Sequence, residues 1–90
     1  MWELAPVPGW DSCYLRNPTD RQRYHVEVSS PSIRPGTQTT FPVIDAGAQV
    51  KFDTLSVWGR PDRRIDVTWH NQQDRTDEPQ RWSSKLPKKV

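Results

Sequence analysis

The chain has one cysteine, four glycines and an apolar share of only 32% in 90 residues. A single thiol closes no intrachain disulfide, which excludes a cross-linked scaffold and suits a reducing compartment. No apolar run approaches the ~20 residues of a membrane-spanning helix, and no signal-peptide core follows Met1. A soluble, cytoplasmic chain without membrane insertion is expected. Apolar residues nowhere recur at i, i+3, i+4 and i+7 over three turns, so no helix is expected. Thirteen basic residues against eleven acidic leave a net charge of +2, short of the clustered basic face of a dedicated nucleic-acid binder.

Proline and tryptophan are plentiful, at nine and five residues. Each tryptophan can bury on the order of 200 Å², so several are expected in the core. A chain this short buries only roughly 60–65% of its unfolded surface, which leaves a thin margin. Support from a protein partner, from a parent chain or from a homodimer is expected.

Alternation of apolar and polar residues marks the strands. Met1–Asp11, with Pro6 and Pro8, reads as an irregular or edge-like lead-in whose Trp2 and Trp10 fold back over one end of the core. Ser12–Asn17 reads as a strand with Cys13 and Leu15 on one face. A polar turn containing Asn17, Pro18 and Asp20 follows. Gln22–Ser29 then places Tyr24, Val26 and Val28 on one face and Arg23, His25, Glu27 and Ser29 on the other. The two strands are expected to form a hairpin with one wet face.

Thr39–Ile44 is a short strand in which Pro42 demands a sheet edge or a bulge. Gln49–Asp53 points Val50 and Phe52 inward. Leu55 and Val57 fall out of phase with them, which places a register break near Asp53 and Thr54. Ile65–Trp69 buries Ile65, Val67 and Trp69, and is expected beside the preceding strand as its antiparallel neighbour. A polar loop over residues 70–80 and a short strand over Arg81–Leu86 complete the pattern. The tail from Pro87 to Val90 is expected to fray. About six or seven short strands separated by turns predict an all-β, small antiparallel β-sandwich. The domain spans residues 12–86, between the lead-in 1–11 and the basic tail 87–90.

Three segments resemble a broad family. Leu15–Asn17, the polar turn and Tyr24–Val28 are similar to the opening hairpin of immunoglobulin-like and fibronectin-III-like sandwiches. Asp45–Phe52 and Ile65–Trp69 resemble two later strands of the same domains. The resemblance covers roughly residues 13–69 and lacks the Cys…Trp…Cys spacing of antibody domains. It implies a non-catalytic interaction or spacer domain and transfers no functional residue.

Catalytic chemistry finds little to use. Cys13 lies on the apolar parity of its strand, His25 on a polar face and His70 at a strand end, so no nucleophile–base pair is expected. No G-x-S-x-G, phosphate-binding loop or dinucleotide fingerprint is present. Asp74, Asp77 and Glu78 near His70 lack the glycine of a calcium-binding loop and are interrupted by Arg75, which favours a solvated loop over a metal site. One cysteine and two distant histidines make no zinc site. No cofactor is expected, and the chain is not expected to be an enzyme.

Binding chemistry has more. Trp58 falls on the outward parity beside Val57, next to Arg60, Arg63 and Arg64. Tryptophan and arginine dominate protein–protein hot spots. The leading expectation is a protein-interaction module that uses Trp58, Arg60, Arg63 and Arg64, joined by Trp2 and Trp10 if these form one exposed patch. A nucleic-acid-binding module using the same arginines with Lys85, Lys88 and Lys89 is the alternative, although Asp62 and Asp66 offset part of that charge. Carbohydrate binding on outward tryptophans is a second alternative.

Overall fold

The computed structural model describes residues 1–55 and 63–87, and these form seven antiparallel strands with no helix. They are β1 (Glu3–Pro6), β2 (Ser12–Arg16), β3 (Arg23–Ser29), β4 (Thr40–Ile44), β5 (Gln49–Asp53), β6 (Arg64–His70) and β7 (Gln80–Lys85). One sheet runs β1-β2-β5 and the other β4-β3-β6-β7. This is the expected small β-sandwich. Its fourth strand joins the third rather than the β1-β2-β5 sheet, unlike the constant-type immunoglobulin plan.

Alternate positions supply most of the core, except in β4, whose buried residues Phe41 and Ile44 are three apart, and in β3, where Arg23 and Val26 are. Cys13, Leu15 and Phe52 face Val26, Val28, Phe41, Ile44, Ile65, Val67 and Trp69 across the sandwich. Leu4, Val50 and Trp82 pack at its margins. Both expected neighbour pairings fail. β2 and β3 do not form a hairpin, because β2 pairs with β1 and β5 whereas β3 pairs with β4 and β6. The strands over 49–53 and 64–70 likewise lie in opposite sheets. Alternation tells which residues face a core, but two strands on opposite sides of one core alternate just as two neighbours do.

Asn17 makes the crossing from β2 to β3. It is fully buried, and its Nδ2 donates to the carbonyls of Arg21 (2.7 Å), Ile44 (3.2 Å) and Asp45 (3.3 Å). Its Oδ1 accepts from the backbone N–H and the hydroxyl of Thr19. Its own backbone bonds Gly47 and Ala48. One side chain therefore replaces the missing hairpin contacts and ties the 18–22 turn to the 45–48 turn, two points at which the chain changes sheet.

The register breaks in β3. Pairing with β6 shifts between Tyr24 and Glu27, and His25 sits there in the left-handed region at φ 51°. The inserted residue reverses the parity before it. Arg23, expected on the polar face, is buried, and Tyr24, expected inward, is only half-buried. β5 keeps one register with β2 from Gln49 to Asp53, where the strand ends. Val57 lies outside the described residues.

Pro42 lies on β4, an edge strand, as expected. Val28 donates to Thr39, so alternation makes Val26–Phe41 the next bonded pair and the donor that Pro42 lacks would point away from the sheet.

Candidate functional site

Trp58 and Arg60 lie outside the described residues. The other four candidates do not gather on one surface. Trp2 is buried, with its ring edge-to-face against Trp69 at 5.4 Å between centroids. Arg23 lies against both rings, its guanidinium carbon 4.5 Å from the Trp2 centroid and 4.7 Å from that of Trp69. It also donates to the Met1 carbonyl at 2.6 Å. Desolvation lowers the pKa of this guanidinium. Trp2 is thus a core residue that staples the start of the chain to the β4-β3-β6-β7 sheet.

Arg63 is half-buried and turned back on its own chain. Its guanidinium donates to the carbonyls of Leu86 (3.4 Å) and Pro87 (2.6 Å). Arg64 is exposed and lies 3.7 Å from Asp66, which also meets Arg81 at 3.7 Å and accepts from Ser83. The Ser83 hydroxyl, then the two arginines, hold the Asp66 carboxyl below the usual carboxylate range.

Trp10 is the exposed tryptophan among the described residues, at 70%. Its presentation follows from the local sequence. The Trp10 N–H donates to the Val7 carbonyl at 3.1 Å, which closes a tight turn with Pro8 and Gly9 at its centre. Proline fixes the first central position, and Gly9 takes the second at φ 79°, which a side chain would resist. The turn is rigid and leaves the indole in solvent at the end of the β1–β2 hairpin.

Trp10 borders a recess of about 440 Å³ lined also by Gly9, Asp11, Ser12, Arg34, Lys51 and Asp53. The loop between β3 and β4 forms one wall. It is clamped to the end of β5 by Arg34 N–H to the Asp53 carbonyl (3.0 Å), Leu55 N–H to the Ser32 carbonyl (2.8 Å) and Asp53 N–H to Thr37 Oγ1 (3.0 Å). Asp53 accepts from Ser12 Oγ at 2.8 Å, so its charge is directed into the wall. The Arg34 guanidinium and the Lys51 ammonium are exposed and carry no side-chain partner among the described residues. The recess thus offers one aromatic face and two available cations on a stiff frame. Sequence reasoning passed over both cations. The outward parity of Lys51 on β5 was readable, but the return of the 30–37 loop to β5 was not.

The opposite end of the sandwich carries a second polar cluster. His25 Nε2 lies 2.7 Å from the Gln73 carbonyl, and Arg75 Nη2 lies 3.2 Å from His25 Nδ1. A neutral imidazole protonated at Nε2 satisfies both contacts. Arg75, at φ 60°, is the other non-glycine residue in the left-handed region among the described residues. Asp77 accepts from the N–H groups of Asn71 (2.7 Å) and Gln72 (3.2 Å) and lies 3.3 Å from His70 Nδ1. These contacts fix a loop. Among the described residues, no group of three histidine, cysteine or acidic side chains is placed to hold a metal ion. Burial pushes the Cys13 thiol up to about 11, against smaller lowering by the Ala5 backbone and Arg63. No helix among the described residues is long and apolar enough to cross a membrane.

Comparison with protein-family models, with curated proteins and with solved structures finds no match.

Proposed function

We propose that the chain is a non-catalytic protein-interaction module whose contact surface is the recess beside Trp10. One observation carries the reading: a Pro-Gly turn holds an exposed indole beside Arg34 and Lys51, cations with no side-chain partner among the described residues. An aromatic anchor with cationic neighbours in a concave frame has the composition of a binding hot spot. A protein partner, or another part of a parent chain, is favoured over nucleic acid. Arg63 is spent on backbone carbonyls and Arg64 faces Asp66, so neither extends a basic track. A lone unpaired thiol accords with a cytoplasmic setting.

Trp10→Ala tests the surface, because this side chain supports no core packing. The variant should melt with the wild type and lose the partners that wild-type chain retains in affinity capture, and Arg34→Ala with Lys51→Ala should reproduce the loss. Retention of every partner by both variants removes the recess from consideration. A gel shift that strengthens as salt is lowered, and that needs Trp10, would instead favour the nucleic-acid alternative.

A further inference from the structure

The four sheet edges are not equivalent. β1 is four residues long and ends in Pro6, and β4 carries Pro42 with its missing donor turned outward. β5 is capped at Asp53 by the loop from Arg34 to Thr37. Among the described residues, β7 has none of these blocks. Leu86 N–H donates to the Arg63 carbonyl at 2.8 Å, and the register with β6 is unbroken from Arg64–Lys85 to Trp69–Gln80. Antiparallel alternation then assigns Gln80, Trp82 and Ser84 to β6 and turns the N–H and C=O groups of Arg81, Ser83 and Lys85 away from the sheet. No backbone contact satisfies those three N–H groups among the described residues. β7 is a six-residue, proline-free edge.

We infer that this edge accepts an extended acidic segment of a partner protein as an added strand. The side chains select the occupant. Arg81, Ser83 and Lys85 stand exposed on the outer face beside Arg64, with Asp66 the acidic residue among them. An added strand would bring its outer side chains next to Arg81 and Lys85, where carboxylates are stabilising and cations are not. Its inner side chains would fall beside the half-buried Trp82, which suits apolar residues. The occupant is therefore a strand alternating acidic and apolar residues. The same charges oppose a second copy in the central register: two β7 strands paired antiparallel about Ser83 would set Arg81 against Lys85 twice. The surface is separate from the Trp10 recess.

A short fluorescein-labelled peptide alternating glutamate and valine tests this on the full chain by fluorescence anisotropy and by amide exchange. Binding is expected, weakening as salt rises, with the Arg81, Ser83 and Lys85 amides becoming protected. In the free chain these amides should exchange faster than those of Trp82 and Ser84. Ser83→Pro removes the central outward donor and leaves the backbone ladder to β6, losing only the hydroxyl bond to Asp66 that Ser83→Ala also removes. The folded proline variant should bind roughly tenfold more weakly or worse, while Ser83→Ala keeps its binding. Trp10→Ala should bind unchanged. The inference is overturned if a lysine–valine peptide binds equally well, or if methylation of alternate peptide nitrogens has no effect, because attraction would then not involve strand pairing. Arg81→Glu gives an independent reading that does not rely on a proline. It makes the edge complementary to itself and should produce a concentration-dependent dimer in sedimentation, abolished again by adding Lys85→Glu. A folded Arg81→Glu chain that stays monomeric at every concentration also overturns the inference.

Discussion

Arg23 shows how much one side chain decides in this chain. A guanidinium between two indoles is a charge held under the sandwich by aromatic faces and one backbone carbonyl. A cation–π contact is worth from about 0.5–1 kcal/mol when exposed to about 2 kcal/mol or more when desolvated, and truncation also strips packing from both rings. Arg23→Ala should therefore cost about 2–4 kcal/mol, in the range of a broken buried network. Urea unfolding followed by tryptophan fluorescence measures it, and the native emission should shift as the two indoles lose their shared partner. Arg23→Lys should recover only part of the loss, because an ammonium is compact and strongly hydrated and lacks the planar guanidinium that reaches both rings and the Met1 carbonyl together. A midpoint equal to wild type in Arg23→Ala would make the stack incidental. Nothing in the sequence marked this residue, since the rule of two places it beside Glu27 on the wet face, and only the extra residue at His25 turns it inward.

At the scale of elements, six strands were legible within a residue or two because alternation records burial directly. β1 was not, with prolines and no clean alternation to identify it. Pairing was not legible either. Partners in this fold are fixed by where the chain crosses between sheets, and those crossings depend on contacts such as Asn17 with Arg21, Ile44 and Asp45 that no local pattern encodes. The binding surface was half legible for the same reason. Trp10 and the Pro-Gly turn can be read locally, whereas Arg34 and Lys51 come together only through the return of the 30–37 loop. The 71–79 loop is a local device by comparison. Backbone donation from Asn71, then Gln72, with a contribution from His70, holds the Asp77 carboxyl below its ordinary value of 3.8. A lowered native pKa means the ordering is complete above that ordinary value and is lost as pH falls through the lower native one. Asp77→Ala should raise amide exchange at Asn71 and Gln72 at neutral pH and remove the acid dependence of exchange there. Exchange unchanged from wild type would show that His25 and Arg75 hold the loop without Asp77.

For the whole molecule, the question is whether the Pro- and Trp-rich start is an appendage to a domain that begins at Ser12 or part of the fold. The structure makes it an edge strand and a cross-sheet contact together. β1 pairs with β2 from Glu3–Arg16 to Pro6–Cys13, Leu4 flanks Leu15, and Trp2 reaches the opposite sheet at Trp69. A buried tryptophan removes about 150–250 Å² from water, worth roughly 4–6 kcal/mol at about 25 cal/mol per Å². A chain of 90 residues has a total stability of only about 5–14 kcal/mol. Removing residues 1–11 forfeits that burial, uncovers Leu15 and Cys13, and leaves Arg23 stacked on a single ring. The truncated chain should show no cooperative thermal transition and should bind a hydrophobic dye, while Trp10→Ala in the full chain keeps the wild-type melting temperature. Trp2→Ala should fall between them. A truncated chain that melts cooperatively near the wild-type temperature would show that the two sheets hold together without the staple, and would restore Ser12 as the start of the folding unit.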